Sequence, residues 1–429
     1  MSPVRPIEPG RAPHKSLPAP NPSYGLYLHT PFCASKCGYC DFYSLAPDDR
    51  AQPPAMAAAL LAALRQLLEQ EPWRGRPVHS LYVGGGTPSL LPASFFNALL
   101  GPRATLRKRL LPGAEITVEM NPESVRPAWL ARLAALGVTR ASLGVQSFHP
   151  ARLAFLERTH SPGQAARALG WIRASGIPAL GLDLIYQLPG QTARELDAEL
   201  EQTLAFAPEH ISAYGLGIEP GTALEARRRR GELRPLDGER AARLYLRLSR
   251  ALRRAGYLHY EVSSFARPGH AARHNSSYWW EGDVLAVGPS AVSAWTEGGR
   301  RRRRRFPADW RAFLAACRAG GLPEWPEEAL DRDAAWLEAL ALGLRWCGGV
   351  DLERLAARFG AERVAALREK ARRLGPRGPR ERSARGTRQT LGRLFGTRGL
   401  PEPPRATGAA LALAPEQWLL LDEVLLRLA

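Results

Sequence analysis

Residues 24–44 read YGLYLHTPFCASKCGYCDFYS. A short apolar stretch, Gly25–His29, runs directly into three cysteines, Cys33, Cys37 and Cys40. A brief apolar run closed by polar and turn-forming residues reads as a strand. The same unit recurs down the chain. Ser80–Val83, Ile116–Glu119, Arg140–Leu143, Ala179–Leu184 and Ile211–Tyr214 read as further strands. Ala/Leu/Arg-rich segments of helical period fill the gaps, at about 52–70, 92–109, 127–135, 163–174 and 192–206. Six strands separated by helices call for right-handed crossovers and a parallel sheet. Nothing in the pattern reverses the strand order, so the expected fold is α/β, a full or partial (β/α) barrel.

In such a fold functional groups lie just after the strands, at the carboxyl edge of the sheet. The unusual residues of this chain fall there. The three cysteines follow the first strand and Gly84-Gly85-Gly86-Thr87-Pro88 follows the second. Glu119 and Asn121 close the third, Gln146 and Ser147 follow the fourth, and Asp183 stands near the end of the fifth. The glycines remove side chains where a ligand must approach the backbone, and turn amides of this kind can bind a carboxylate.

Composition narrows the class. The chain has 429 residues, 45% hydrophobic and 23% charged, which excludes global disorder, collagen-like repetition and a small disulfide scaffold. No apolar run reaches membrane-spanning length, since Asp183 breaks Leu180–Leu188. The first 23 residues lack the apolar core of a secretory signal, and three of five cysteines cluster within residues 33–40. Clustered thiols without an export signal point to a metal site in the cytoplasm. The formal charge of +18 calls for an anionic partner: nucleic acid, an anionic membrane surface or a carboxylate-bearing ligand. The general bias toward Arg, Ala, Gly and Pro accounts for part of that charge.

The domain expectations are a disordered Pro-rich tail over 1–23, a barrel over 24–225, and an extension over 226–307. A separate, smaller, mainly helical domain over 308–429 follows, interrupted at 375–408 and ending in an amphipathic helix, Pro415–Leu428. The run Arg300–Arg305 reads as a flexible surface loop, and Arg227–Arg230 precedes a helical stretch reaching Gly256.

On spacing alone the thiols suit one face of an iron–sulfur cluster. They also suit a zinc site that borrows His29, or buried free cysteines. Cys317 and Cys347 lie too far along the chain to be assigned as a fourth ligand.

These motifs resemble a known family. Cys33, Cys37 and Cys40 match the CxxxCxxC motif of the radical S-adenosylmethionine (SAM) superfamily. Tyr27-Leu-His29-Thr-Pro31-Phe32-Cys33 is similar to the YxHxPFC signature of the branch containing oxygen-independent coproporphyrinogen III oxidase. Within it, Cys40-Asp41-Phe42-Tyr43-Ser44 resembles the CDFxS of the HemW heme-chaperone family, whereas the oxidase has a further cysteine where Phe42 stands. The oxidase also has a longer extension than the 26 residues before Tyr27. VGGGTPS at 83–89, GVQS at 144–147, LERTH at 156–160, LPGQT at 188–192 and RHNSSYW at 273–279 are similar to HemW segments. Gly343-Leu344-Arg345 with Gly349-Val350 resembles that family's GLR…GV. Gln187, Ser290 and Val292 depart from the family's Gly, Gly and His.

The resemblance implies a radical-SAM barrel carrying a [4Fe-4S] cluster on Cys33, Cys37 and Cys40, with one iron open to S-adenosyl-L-methionine. It implies contacts to that cofactor from Tyr27, Tyr39, Gly85, Gly86, Thr87, Glu119, Gln146, Arg158 and Asp183, with Arg158 clamping a carboxylate. It points to His274 and Tyr278 as heme contacts. The implied function is heme binding and transfer to acceptor hemoproteins, among them membrane-associated respiratory proteins, with peripheral membrane contact. The alternative is oxidative decarboxylation of coproporphyrinogen III. A nucleic-acid substrate is not expected, because no appended RNA-binding signature or second cluster motif is present.

Overall fold

The computed structural model describes residues 23–383, 385, 389, 390, 393, 394 and 409–428. The expected tail over 1–23 therefore lies outside the described residues except for Ser23, as does much of 384–408. Six strands appear where the sequence places them: β1 (Tyr24–Thr30), β2 (Val78–Gly85), β3 (Leu110–Met120), β4 (Arg140–Gln146), β5 (Ala179–Tyr186) and β6 (His210–Gly215). They lie side by side in chain order, every neighbouring pair parallel.

Six more strands complete this sheet among the described residues: β7 (Leu258–Glu261), β8 (Ser264–Ala266), β9 (Val284–Val287), β10 (Val292–Glu297), β11 (Arg300–Arg305) and β12 (Glu327–Ala329). β8 and β7 extend it beyond β6; β9, parallel to β1, leads out to β10, β11 and β12 on the other side. The sheet has two ends, β7 and β12, so the barrel is partial.

Strand alternation sorts the side chains. Leu26, Leu28, Leu81, Val83, Val118, Leu143, Leu182 and Ile211 are buried in the main core, with Met56, Leu60 and Leu64 of helix Gln52–Leu68. Truncating a leucine such as Leu60 to Ala there costs about 2–5 kcal/mol. The alternate positions carry a polar set, Tyr82, Glu119, Ser142, Asp183 and Tyr214, around one cavity.

Two helices after the strands start with capping boxes, Ser161 with Gln164 and Thr192 with Glu195. Thr192 is the last residue of the LPGQT segment, so that motif is in part a helix start. The expected helix over 92–109 is shorter: Ala93–Leu100 stops at Gly101-Pro102, and only a single turn follows at Leu106–Lys108. Proline cannot continue the backbone ladder.

Arg300–Arg305 is a strand and not a flexible loop. It pairs antiparallel with β10 across Gly298-Gly299, whose φ values of 56° and 77° suit a tight hairpin turn. Arg301 is only 3% exposed, while Arg302 and Arg304 pair with Glu327. Helix Trp310–Arg318 packs on helix Gln52–Leu68, with Phe32 edge-on to Trp310 at 5.3 Å. A three-stranded sheet in the order β13 (Val350–Asp351), β15 (Ala410–Ala412), β14 (Arg380–Arg382) begins farther on. Helices Arg332–Leu344, Leu352–Phe359, Ala361–Arg373 and Leu421–Leu428 accompany it. Among the described residues no helix is long and apolar enough to cross a membrane.

Candidate cluster and cofactor cavity

A cavity of about 420 Å³ opens at the carboxyl ends of the parallel strands. Cys33, Cys37 and Cys40 line it together with Tyr39, Gly85, Gly86, Glu119, Gln146, Arg158 and Asp183. The loop bearing the thiols is tied at several points. Cys33 N–H donates to Leu45 O and Leu45 N–H to Pro31 O, at 3.0 and 2.9 Å. Leu224 N–H donates to Gly38 O at 2.8 Å, bringing helix Ala223–Arg229 against the loop.

His29 completes the anchorage. Its Nε2 lies 2.8 Å from the Tyr43 carbonyl, which only accepts, so Nε2 carries the proton. Nδ1 then accepts from the Tyr27 hydroxyl at 2.9 Å. Both ring nitrogens are engaged, so His29 has none to offer a zinc ion. Among the described residues no three His, Cys, Asp or Glu side chains form a group that can hold a single metal ion. Three neighbouring thiols on one loop suit one face of a multi-iron cluster. Burial raises the Cys33 and Cys40 thiols above the usual range. The Ser44 hydroxyl lies 3.8 Å from Cys40 Sγ, and Arg158 Nη1 donates to Cys37 Sγ at 3.5 Å.

The rest of the cavity wall is polar and under-neutralised. Glu119 accepts from the Tyr82 hydroxyl at 2.5 Å and from Gly85 N–H at 3.0 Å. Burial still pushes its carboxyl up to about 7. Asp183, 3.2 Å from Ser142 Oγ, is pushed up to about 6 for the same reason. Arg158 donates to Asn121 Oδ1 at 2.7 Å and to Gly144 O at 3.1 Å, while its buried Nε has no partner. Such a wall suits a ligand with a cationic amine, hydroxyls and a carboxylate.

The glycine triplet acts by size. Its amides are not free for a ligand carboxylate, contrary to the sequence expectation. Gly85 N–H goes to Glu119, Gly86 N–H to Thr30 O at 2.6 Å and Thr87 N–H to Phe32 O at 2.7 Å. A Cβ on Gly86 would stand 2.5 Å from Phe32 O and 2.7 Å from Thr30 O at the end of β1, so only glycine lets the loop reach this close.

Residues 27–203 match the Radical SAM superfamily and residues 330–378 the HemN C-terminal domain. The protein named heme chaperone HemW in Mycobacterium tuberculosis is 39% identical over 360 residues, covering 81% of this chain and 89% of that one. The chain belongs to the HemW family.

A second HemW heme chaperone, from Escherichia coli, is 37% identical over 271 residues, 63% of this chain and 70% of the relative. Among solved structures, coproporphyrinogen III oxidase (HemN) from Escherichia coli superposes with a TM-score of 0.69 at 20% identity, over 95% of this chain and 90% of that one. At that identity the likeness concerns the fold, which HemW and HemN share.

The expected HemW-type site residues divide into three groups. Tyr39, Gly85, Gly86, Glu119, Gln146, Arg158 and Asp183 line the cavity with the three cysteines. Tyr27 and Thr87 do not line it; Tyr27 supports His29, and the buried Thr87 accepts from Asn121 Nδ2 at 2.9 Å. His274 and Tyr278 lie apart from it. The His274 ring is buried, with Nδ1 3.0 Å from Ser80 Oγ and Nε2 2.9 Å from the Tyr278 hydroxyl. Each ring nitrogen thus has a hydroxyl partner within the protein. Burial holds the ring neutral, its pKa lowered to about 3.

Sequence reasoning did not single out Tyr82, Ser142, Tyr214, Glu123 or Glu219, all of which line the cavity. Strand period was the available signal for the first two. Tyr82 stands two residues before Gly84, and Ser142 two before Gly144, on the same face of their strands.

Proposed function

We propose that this protein binds heme and passes it to acceptor hemoproteins, and that its cavity holds a [4Fe-4S] cluster and S-adenosylmethionine. Cys33, Cys37 and Cys40 are the cluster ligands in this reading. Bound together, cluster and cofactor supply one-electron chemistry. Glu119 takes the cofactor's ammonium, Asp183 its ribose hydroxyls, and Arg158 its carboxylate through the planar guanidinium. The partnerless Nε of Arg158 and the raised pKa values of both carboxyls support these assignments, since burial outweighs the partners each carboxyl already has and leaves Arg158 one donor to give. Tyr39 walls the cavity beside the thiols. Thiols that must stay reduced to ligate iron support a cytoplasmic location.

The observation that carries heme transfer over porphyrinogen oxidation is Phe42. It lines the cavity mouth two residues after Cys40 and is 63% exposed. An exposed aromatic ring at a mouth suits a flat apolar ligand that must leave again. The test uses anaerobically reconstituted protein with hemin, and separately with coproporphyrinogen III, S-adenosylmethionine and reductant. The expected result is a shifted Soret band with hemin, transfer to an apo-hemoprotein, and no protoporphyrinogen. Porphyrinogen turnover without hemin binding overturns the reading.

A further inference from the structure

A chain of contacts crosses the inside of the barrel and ends on Glu119. It starts at Glu115, which Arg140 holds at 3.2 Å. The two oxygens of Glu115 accept the N–H groups of Arg273 and His274, at 3.1 and 3.0 Å, and so seat helix Arg273–Trp279. His274 is fixed through both ring nitrogens, by Ser80 and Tyr278. Gly25 leaves room for the ring; a Cβ there would stand 3.2 Å from Nδ1. The Tyr82 ring lies 5.2 Å from the imidazole, inclined by 30°, and 6.1 Å from the Tyr27 ring. Held from this side, Tyr82 points its hydroxyl at Glu119 Oε1. Gly85 N–H takes Oε2, and Gly84 must lack a side chain because its Cβ would stand 2.6 Å from that oxygen.

We propose that Tyr82 is a positioning residue for the cationic end of the bound cofactor: its hydroxyl aims and charges the Glu119 carboxylate, and helix Arg273–Trp279 braces its ring. This rests on the cofactor reading above and gives the RHNSSYW segment a task on the cofactor side of the fold. The groups around Glu119 are few. β2 supplies Tyr82 and the Gly85 amide, and β5 supplies Asp183. β1 supplies Tyr27, β6 supplies Tyr214, and helix Arg273–Trp279 supplies Tyr278. Burial drives these phenols upward, so they stay neutral across the working range. Asp183 is then the one group among them whose charge changes, and it opposes ionisation of Glu119. The Tyr82 hydroxyl favours ionisation, because it donates to the charged form.

The test is Tyr82→Phe, which keeps the ring and removes the donor. S-adenosylmethionine binding to cluster-reconstituted protein is measured by calorimetry from about pH 5.5 to 8.5. Wild-type affinity should rise with pH as Glu119 ionises, until the ligand's own α-ammonium begins to lose its proton near about pH 8, and Glu119→Gln should flatten the acid limb of the profile. In Tyr82→Phe the midpoint should move to higher pH. Affinity near pH 6.5 should fall about tenfold, for one lost charge-assisted hydrogen bond, and recover toward wild type at the alkaline end. Infrared titration of the cluster-free protein should show the carboxyl band assigned by Glu119→Gln moving in the same direction. A uniform loss at every pH, or an unmoved midpoint, overturns the inference alone. No binding by wild-type protein overturns the cofactor reading instead.

Discussion

His29 donates its Nε2–H to the carbonyl of Tyr43, 2.8 Å away, and so closes the two ends of the cysteine loop on each other. The residue before the thiols and the residue after them are one clamp. His29→Ala should therefore lower iron content after anaerobic reconstitution and speed its loss to a chelator. His29→Gln, with an amide donor, should restore part of it. Changing any of Cys33, Cys37 or Cys40 to Ala should abolish the visible charge-transfer absorption. Cys317→Ala and Cys347→Ala should leave it in place. Wild-type iron content in His29→Ala would show that the loop holds without its clamp.

The two raised carboxyls set a pH dependence. Glu119 and Asp183 hold protons more tightly in the folded chain than in the unfolded one, with folded values of about 7 and about 6. Between the ordinary carboxylate range and those values, the folded state binds more protons, so stability falls as pH rises. The buried histidines His79, His259 and His274, depressed by burial, pull the other way by losing stability toward acid, so the carboxyl effect is read by comparison with a variant. Relative to wild type, Glu119→Gln should gain thermal stability on going from about pH 5 to about pH 8. The same change with pH in Glu119→Gln as in wild type removes Glu119 as a source of the pH dependence.

His274→Ala leaves the Ser80 and Tyr278 hydroxyls facing a buried gap. The expected cost is about 3 kcal/mol, from unsatisfied donors and a lost ring. Denaturant unfolding should register it, while the Soret position of the hemin complex should stay at the wild-type wavelength. A displaced Soret band would return His274 to the heme.

Arg301 and its neighbour Arg300 separate a buried cation from a surface one. Arg301 donates to the Glu281 and Gly282 carbonyls, both at 3.2 Å, and faces Asp283 and Glu338. Removing one partner from a buried ionic group costs about 3–5 kcal/mol. Arg301→Ala should approach that figure and Arg300→Ala, at an exposed position, should stay within about 0.5 kcal/mol of wild type. Paired denaturation curves decide it.

The parallel strands were legible because each is a short apolar run between helical segments, and the rim because chemistry-bearing residues cluster after those runs. The strand at Arg300–Arg305 was hidden by composition. Six arginines carry no apolar alternation, and only the preceding Gly298-Gly299 pair signals a hairpin. The burial of His274 was not legible, because a polar-aromatic segment does not reveal in one dimension which of its rings face the interior. Two departures from the family's glycines become intelligible in the fold: Gln187 and Ser290 have φ of 61° and 64°, where a side chain is strained. Gln187 is held there by a 2.8 Å bond from Nε2 to Ala241 O. Nothing in the structure explains Val292 in place of the family's His.

The arginine strand also bears on the free edge of the sheet. A sheet with two ends offers two rows of backbone groups to any other sheet, and long, flat, apolar ends polymerise. Here one terminus is β12, three exposed residues, Glu327, Glu328 and Ala329, laid against β11. A second molecule adding a strand at that end would bring carboxylate against carboxylate, beside a cation row already matched to its own acids. The hexa-arginine run, which looks like excess charge in the composition, thus belongs to a short, ionic selvedge that keeps the fabric from being woven on.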